Sequence, residues 1–135
     1  MRNWMTGTAL AAAFLATVAS AETLTVTVEG TRSASGTVRA GLYDATGKRV
    51  AAKMVAAAVG DVVLRFEGVA GGTYAVKVFH DENGDGDLNT GIFGIPTEGY
   101  GFSNRASGRF GPPAFERMRV TVGAAPTATA ATLQY

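Results

Sequence analysis

The residues between positions 80 and 104 (HDENGDGDLNTGIFGIPTEGYGFSN) carry the side chains best suited to chemistry in this chain. Asp81, Asn83 and Asp85 occupy the first, third and fifth places of the calcium-loop pattern D-x-[DN]-x-[DN]-G, and Gly86 occupies the sixth. A chain that coils around one cation turns alternate side-chain oxygens inward, and glycine permits the sharp bend. This spacing therefore favours a calcium site.

The calcium pattern is incomplete beyond Gly86. Asn89 stands at the ninth place, where a ligand often acts through water, but Ile92 stands at the twelfth, where an EF-hand has a bidentate Glu. A predicted strand, not a helix, precedes the loop, so the segment is not an EF-hand. Glu98 completes the shell if the chain folds back. The predicted metal ligands are Asp81, Asn83, Asp85, Asp87, Asn89 and Glu98, and the predicted ion is calcium.

The acidic segment has a second interpretation, as a turn that needs no metal. Asp, Asn and Gly also dominate metal-free turns, because Asx side chains mimic a backbone turn and glycine adopts positive φ. Repulsion among Asp81, Glu82, Asp85 and Asp87 opposes a compact turn unless a cation lies nearby. The sequence leaves both interpretations open.

His80 is the single histidine of the chain. Its position beside Asp81 suggests acid–base catalysis or a transition-metal site. Zinc and copper sites, however, need two or more His or Cys ligands, which this sequence does not supply. We therefore expect a structural histidine that is hydrogen-bonded to a carboxylate or a backbone carbonyl.

A run rich in glycine and aromatic residues follows the acidic segment (GIFGIPTEGYGFSNRASGRFGPP). If Tyr100, Phe102 and Phe110 are exposed beside Arg105 and Arg109, they form a surface suited to a sugar, a peptide or a protein partner. If these aromatic residues are buried, they close one end of the fold. Burial is the commoner outcome for clustered aromatic residues.

The first 21 residues have the features of a secretory signal peptide. Arg2 gives a positive start, the apolar run ALAAAFLATV has the length of a signal core, and Ala19-Ser20-Ala21 gives a cleavage site. The run is shorter than the roughly 20 residues that a membrane span needs. The sequence predicts residues 1–21 as a cleaved signal, residues 22–135 as the mature domain, and a periplasmic or secreted location.

Composition excludes several classes of partner. Without Arg2 the chain has 11 basic and 11 acidic residues, so it has no basic footprint for nucleic acid and no polybasic membrane patch. It has no cysteine, hence no disulfide and no thiol nucleophile. The expected partner is an unidentified protein or carbohydrate ligand, without membrane insertion, and the expected state is a monomer.

Alternating apolar residues predict strands along the mature chain. The inward-facing sets are Leu24, Val26 and Val28; Val38, Ala40 and Leu42; Val62, Leu64 and Phe66; Tyr74, Val76 and Val78; Met118, Val120 and Val122; Ala131, Leu133 and Tyr135. Residues 49–59 fit either a short helix or a strand. About seven strands predict an all-β fold, an antiparallel immunoglobulin-like or prealbumin-like sandwich, with one long ordered loop over residues 81–113.

The segments GTYAVKVFHDENGDGDLNT, GIPTEGYGFSN and GRFGPPAFE resemble the bacterial family known as domain of unknown function 2141. The likeness covers essentially the mature chain, including LTVTVEGTRSASGTVRAGLYD near its start. Members are small exported proteins without an established activity, and many carry Asp where this chain has Asn89. The GTYAVKVF strand is more distantly similar to prealbumin-like surface repeats, some of which hold calcium. These resemblances imply a sandwich and a metal, but no catalytic residue.

The sequence therefore predicts a non-enzymatic exported β-sandwich with a calcium-stabilised loop that presents a binding surface. It contains no Gly-x-Ser-x-Gly elbow, phosphate loop or His-rich metal cluster. One alternative is a metal-independent structural or interaction domain with the same fold. Another is a small hydrolase that uses His80 with Asp81 and Glu98 for acid–base chemistry.

Overall fold

The computed structural model describes residues 21–88, 98–108 and 111–135. The strands of these residues are β1 (Glu22–Thr31), β2 (Thr37–Asp44), β3 (Arg49–Ala56), β4 (Gly60–Val69), β5 (Gly72–Asp81), β6 (Tyr100–Phe102), β7 (Val120–Val122) and β8 (Thr127–Thr132). A 3₁₀ turn spans Ser103–Arg105 and a short helix, α1, spans Phe115–Met118. The predicted signal peptide lies outside the described residues except for its last position.

The strands form two sheets that pack against each other, which confirms the predicted all-β sandwich. The first sheet has the order β4–β1–β8. The second has the order β3–β2–β5, and both β6 and β7 pair with the far edge of β5. All pairs are antiparallel except β1 with β8, which is parallel. The wholly antiparallel prediction is wrong at this pair, because alternation does not encode the direction in which a strand arrives after crossing between sheets.

The core lies between the two sheets and contains the predicted inward faces. Leu24, Val26 and Val28 are fully buried on β1, and the threonines between them are half-buried. Burial of a Val or Leu side chain stabilises by roughly 1.5–3 kcal/mol relative to its exposure. The other buried members of this core are Val38, Ala40, Leu42, Ala57, Val62, Leu64, Phe66, Val69, Val76, Val78, Val120, Val122, Ala131 and Leu133. Tyr135 is exposed, although the sequence pattern placed it inward.

The ambiguous segment after position 48 is a strand, not a helix. β3 pairs with β2 from Thr37↔Ala56 to Tyr43↔Arg49. It is an edge strand, so its outer residues stay in water. Val50 and Met54 are 48% and 58% exposed.

The predicted long loop contains secondary structure of its own. β6 pairs with residues 77–79 of β5, and β7 pairs with residues 72–74 of the same edge. Between them, the Ser103 hydroxyl accepts a hydrogen bond from the Val76 N–H at 3.0 Å and donates one to the Met118 carbonyl. The Ser103 side chain thus provides a hydrogen-bond partner at Val76, where neither β6 nor β7 pairs with β5. Residues 89–97 and 109–110 of the predicted loop lie outside the described residues.

The segment between β6 and β7 covers part of the outer face of the second sheet. Phe102 and Met118 are buried there against Ala75, with Tyr100 and Phe115 packed beside them. Met118 belongs to α1, so its assignment to a strand is wrong, whereas the strand prediction is correct for Val120 and Val122. The helix lets this segment leave the sheet, cover the outer face and return.

A bidentate ion pair attaches the 3₁₀ turn to the first sheet. Asn104 and Arg105 have positive φ, 60° and 50°, which is unfavourable for residues other than glycine. The Arg105 guanidinium donates to both Glu29 carboxylate oxygens, at 2.7 and 2.9 Å. The Thr132 hydroxyl also donates to Glu29 at 2.9 Å. These contacts offset the backbone strain of the turn.

The Glu29 ion pair predicts a loss of stability in acid. Hydrogen bonds from Arg105, and then from Thr132, lower the pKa of Glu29 from 4.5 to about 2. Because the folded-state pKa is depressed, the contribution of Glu29 to stability is present above pH 4.5 and is lost as the pH falls towards 2. We expect Glu29→Gln to lower the melting temperature at neutral pH and to reduce its fall between these two pH values.

Thermal melting across this pH range measures the effect. Glu67→Gln removes an exposed carboxylate from β4 and controls for the loss of one surface charge. If Glu29→Gln and wild type lose the same number of degrees between pH 4.5 and 2, the ion pair does not contribute as described.

Candidate metal centre

Asp81 is the last residue of β5 and its side chain is fully buried on the outer side of the second sheet. Its Oδ2 atom accepts a hydrogen bond from Arg39 Nε at 3.0 Å and one from the Gly86 N–H at 2.8 Å. Arg39 lies on the neighbouring strand β2, two residues along the register from the Thr37↔Asp81 pair and on the same face. One carboxylate oxygen thus joins β5, β2 and the start of the acidic loop.

The second oxygen of Asp81 is buried and has no hydrogen-bond partner among the described residues. The hydroxyl of Thr37, its cross-strand neighbour, is also buried without a partner. A buried carboxylate oxygen without a partner costs free energy, on the order of 1–3 kcal/mol or more for a charged group. A bound cation would satisfy it.

Asp81, Asp85 and Glu98 converge on this place. One carboxylate oxygen from each lies within 4.8 Å of the others. Glu98 is 4% exposed, and its Oε2 accepts a hydrogen bond from the Glu82 N–H at 2.8 Å. Calcium ligands lie about 2.3–2.6 Å from the ion, so two oxygens on one ion can be up to about 5 Å apart. The three carboxylates therefore have a spacing that one calcium ion can bridge.

The remaining predicted ligands do not all join this triad. The Asn83 amide donates to Asp85 Oδ2 at 3.2 Å, so Asn83 supports a carboxylate of the triad. Asp87 is exposed, and its N–H donates to Asp85 Oδ1 at 2.9 Å. Asn89 lies outside the described residues. The triad thus holds three of the six predicted ligands.

Asx hydrogen bonds close the loop locally. The Asp85 N–H donates to Asn83 Oδ1 at 3.2 Å. Gly84 and Gly86 have φ of 72° and 81°, which only glycine adopts without strain. These are features of a metal-free turn as well, so the loop backbone has an internal means of closing before any ion binds.

The sequence predicted that Glu82 adds to the charge repulsion within the acidic loop, but its carboxylate turns away from the other three. It forms an ion pair with Arg32 and accepts a hydrogen bond from the Ser33 hydroxyl at 3.0 Å. The Arg32 contact, and then that of Ser33, lower the pKa of Glu82 against the effect of its partial burial. The carboxylates that come close together are instead those of Asp81, Asp85 and Glu98, and the Arg39 ion pair offsets one of their three formal charges.

His80 lies on the opposite face of β5 from Asp81, because consecutive strand residues point to opposite faces. Its ring is fully buried, with Nε2 2.7 Å from the Ser35 carbonyl and Nδ1 2.8 Å from the Tyr135 hydroxyl. A carbonyl only accepts, so Nε2 carries a hydrogen that it donates to Ser35, while Nδ1 forms the hydrogen bond with the Tyr135 hydroxyl. Both nitrogens are engaged, as expected for a structural histidine.

The aromatic residues after the acidic loop are largely buried. Phe102 is 8% exposed and Tyr100 is half-buried, but on the outer face of the second sheet and not at an end of the sandwich. Arg105 pairs with Glu29 and does not flank them. Phe110 and Arg109 lie outside the described residues.

Two residues of this region were missed by the sequence reasoning. Arg39, the cation that holds Asp81, is 42 positions away along the chain, and only the β2–β5 register brings it near. Tyr135 closes the His80 network, and its ring packs under Arg32 at 4.2 Å. The feature of the sequence that could have identified Arg39 is its outward-facing position on a strand that pairs with the end of β5 that contains Asp81.

Comparison with known proteins gives one match. The model of a family described as uncharacterised proteins conserved in bacteria, domain of unknown function 2141, matches residues 26–130. Neither a curated protein nor a solved structure matches the chain. No helix in the described ranges combines the length and the apolar character needed to cross a membrane.

The His80 network predicts a structural cost for the loss of one hydroxyl. The Tyr135 hydroxyl is hydrogen-bonded to His80 and accepts from the Arg32 N–H at 3.0 Å, and the partial burial of this otherwise exposed residue raises its pKa. Tyr135→Phe keeps the ring but leaves both groups without this partner. We expect a loss of about 1–2 kcal/mol in the free energy of unfolding.

Urea unfolding measures this loss, and Tyr43→Phe, which removes a hydroxyl elsewhere, is the matched control. The control should change the free energy of unfolding by less than about 0.5 kcal/mol. Equal effects of the two substitutions would show that the His80 contact does not stabilise the fold.

Proposed function

Since the chain belongs to the bacterial family of domain of unknown function 2141, we propose that it is an exported, non-enzymatic β-sandwich whose acidic loop binds one calcium ion. The observation that carries this proposal is the convergence of the Asp81, Asp85 and Glu98 carboxylates at a residue, Asp81, that has one buried oxygen without a hydrogen-bond partner among the described residues. The ion would stabilise the loop between β5 and β6 and so hold a binding surface in shape.

The ligand chemistry favours calcium over other metals. The converging ligands are all carboxylate oxygens, a hard set that suits calcium or magnesium, and not zinc or copper. Magnesium demands near-ideal octahedral geometry, whereas calcium accepts irregular shells of six to eight oxygens that include waters. Three carboxylates drawn from a turn and a distant loop residue suit the irregular shell. An affinity of about 10⁻⁴–10⁻³ M, typical of extracellular modules, would be enough.

Export supplies the setting in which such weak binding is useful. The signal-like residues 1–21 support a periplasmic or secreted protein. Calcium can be abundant outside the cell, so a site of modest affinity would be occupied there.

The buried state of His80 supports binding over catalysis. A general acid or base needs a ring nitrogen that can reach a substrate. Both nitrogens of His80 are within hydrogen-bond distance of Ser35 and Tyr135, and the ring is fully buried. The hydrolase alternative therefore has little support from this residue.

A metal-independent interaction domain with the same fold is the second candidate. The Asx hydrogen bonds of Asn83 and Asp85 favour it, because they close the loop without an ion. The two candidates differ in their response to calcium.

Thermal melting of the purified protein with calcium, magnesium or EDTA tests the proposal. A ligand at 100 times its dissociation constant stabilises by about 2.7 kcal/mol, which for a domain of this size raises the melting temperature by roughly 10 °C. We expect this rise with about 10 mM calcium if the affinity is near 10⁻⁴ M, and a smaller rise with magnesium.

Two isosteric substitutions locate the ion. Asp81→Asn removes a charged ligand at the buried centre and should abolish most of the calcium-dependent rise. Asp87→Asn removes an exposed carboxylate of the same loop outside the triad and should keep it. Melting temperatures that are equal in calcium and EDTA would refute the calcium site, and an unchanged rise in Asp81→Asn would place the ion elsewhere.

A further inference from the structure

A groove with a volume of about 590 Å³ lies on the outer face of the second sheet. This volume falls within the roughly 300–1,000 Å³ typical of small-molecule sites. Its floor is formed by β2 and β5, and its borders include Leu88 of the acidic loop and Pro112. The groove is separate from the carboxylate triad, although Arg39 and Gly86 contribute to both regions.

The register of the strands gives the groove a basic side and an aromatic side. Arg49 of the edge strand β3 is exposed and pairs with Tyr43 on the outer face. Lys53 also borders the groove, but it pairs with the core-facing Ala40, so its side chain starts from the opposite face of β3. Across the sheet, Phe79 of β5 pairs with Tyr100 of β6, and Lys77 pairs with Phe102. Cations therefore line the β3 side, and aromatic rings line the β6 side.

The middle of the groove is shaped by a close approach between Gly41 and Tyr43. A Cβ atom at Gly41 would lie 2.8 Å from Tyr43 Cε2, so the tyrosine ring lies along the strand over this glycine. Lys77 Nζ is 4.6 Å from the centre of the same ring. The ring thus holds the Lys77 ammonium by a cation–π contact in the centre of the groove.

The charged side chains that line the groove in the described residues are all cationic. Four cations line it, namely Arg39, Arg49, Lys53 and Lys77, and no carboxylate does so among the described residues. Residues 89–97 and 109–110, which are not described, contain no Asp or Glu in the sequence. Arg39 is paired with Asp81, whereas Arg49 is exposed and available to a ligand.

We propose that this groove binds an organic anion with an apolar body, of which a medium-chain fatty acid is the simplest example. Its carboxylate would pair with Arg49 or Lys77, and its apolar body would cover Phe79, Tyr100 and Phe102. Charge complementarity identifies the head group, and the aromatic side identifies the body. This binding goes beyond the calcium site and does not require it.

Three small probes separate the contribution of charge from that of apolar contact. Octanoate has both a charge and an apolar body, acetate has the charge alone, and 1-octanol has the body alone. Each buried methylene strengthens binding by up to about fourfold. We expect octanoate to bind at least about tenfold more tightly than acetate or 1-octanol.

Amide NMR spectra of the purified protein report both the affinity and the place of binding. Octanoate should shift the amide signals of Gly41, Lys77 and Phe79, and leave those of the outer face of β4 unchanged. The proposal is wrong if octanoate binds no better than 1-octanol or acetate, or if the shifts lie on the other sheet.

Paired charge variants test the basic side. Arg49→Gln with Lys77→Gln removes two cations of the groove and should weaken octanoate binding about tenfold. Arg65→Gln with Arg119→Gln removes two exposed cations outside the groove lining and should change it less than about twofold. Equal weakening in both double variants would mean that octanoate responds only to total charge, and would overturn the proposal.

Measurements in calcium and in EDTA keep this proposal distinct from the calcium site. Octanoate binding in either medium supports the groove, even if the protein shows no calcium-dependent melting. Calcium-dependent melting without octanoate binding in either medium refutes the groove and leaves the calcium site intact.

Discussion

The buried carboxylate of Asp81 is the contact on which the arrangement of this region depends. One of its oxygens receives Arg39 from β2 and the Gly86 N–H from the acidic loop. The other has no hydrogen-bond partner among the described residues, and the carboxylate as a whole lies close to those of Asp85 and Glu98. Burying a carboxylate is costly unless it is paired, so this position couples the end of β5 to the loop and to the neighbouring strand. Removal of the Arg39 guanidinium would leave the buried carboxylate without its charge partner.

The two faces and the two edges of β5 make different contacts. His80 points to the interior and is held by Ser35 and Tyr135, while Asp81 points outward into the carboxylate cluster. One edge pairs with β2, and the other carries β6 and β7 in succession. β6 brings Glu98, two residues before its start, back towards Asp81. Strand pairing therefore positions the candidate ligands, and the Asx hydrogen bonds of the loop adjust their orientation.

Much of the fold follows from alternation alone. The inward faces of β1, β2, β4 and β5 were predictable because each strand turns one apolar side towards the core, and period two identifies that side. The parallel pairing of β8 was not, because direction after a crossover depends on the whole topology. Met118 was misassigned for a related reason, since a single helical turn between two strands leaves no periodic signal.

The candidate site also contains residues that a local spacing pattern identifies and residues that only the folded chain brings together. Asp81, Asn83 and Asp85 were found because their spacing is a local pattern, and Glu98 was placed with them on the supposition that the chain folds back. Glu82 belonged to the same local cluster, yet it turns to Arg32, 50 positions away. Arg39 and the basic side of the groove depend on strand register. On a single strand, Arg49, Lys53 and Lys77 look like ordinary solvated residues.

Crystallography with an anomalous calcium signal tests the central claim most directly. Crystals grown in calcium should show one anomalous peak about 2.3–2.6 Å from carboxylate oxygens of Asp81, Asp85 and Glu98. An ordered triad with no peak in saturating calcium, and with a water or a protein donor on the free oxygen of Asp81, would contradict it.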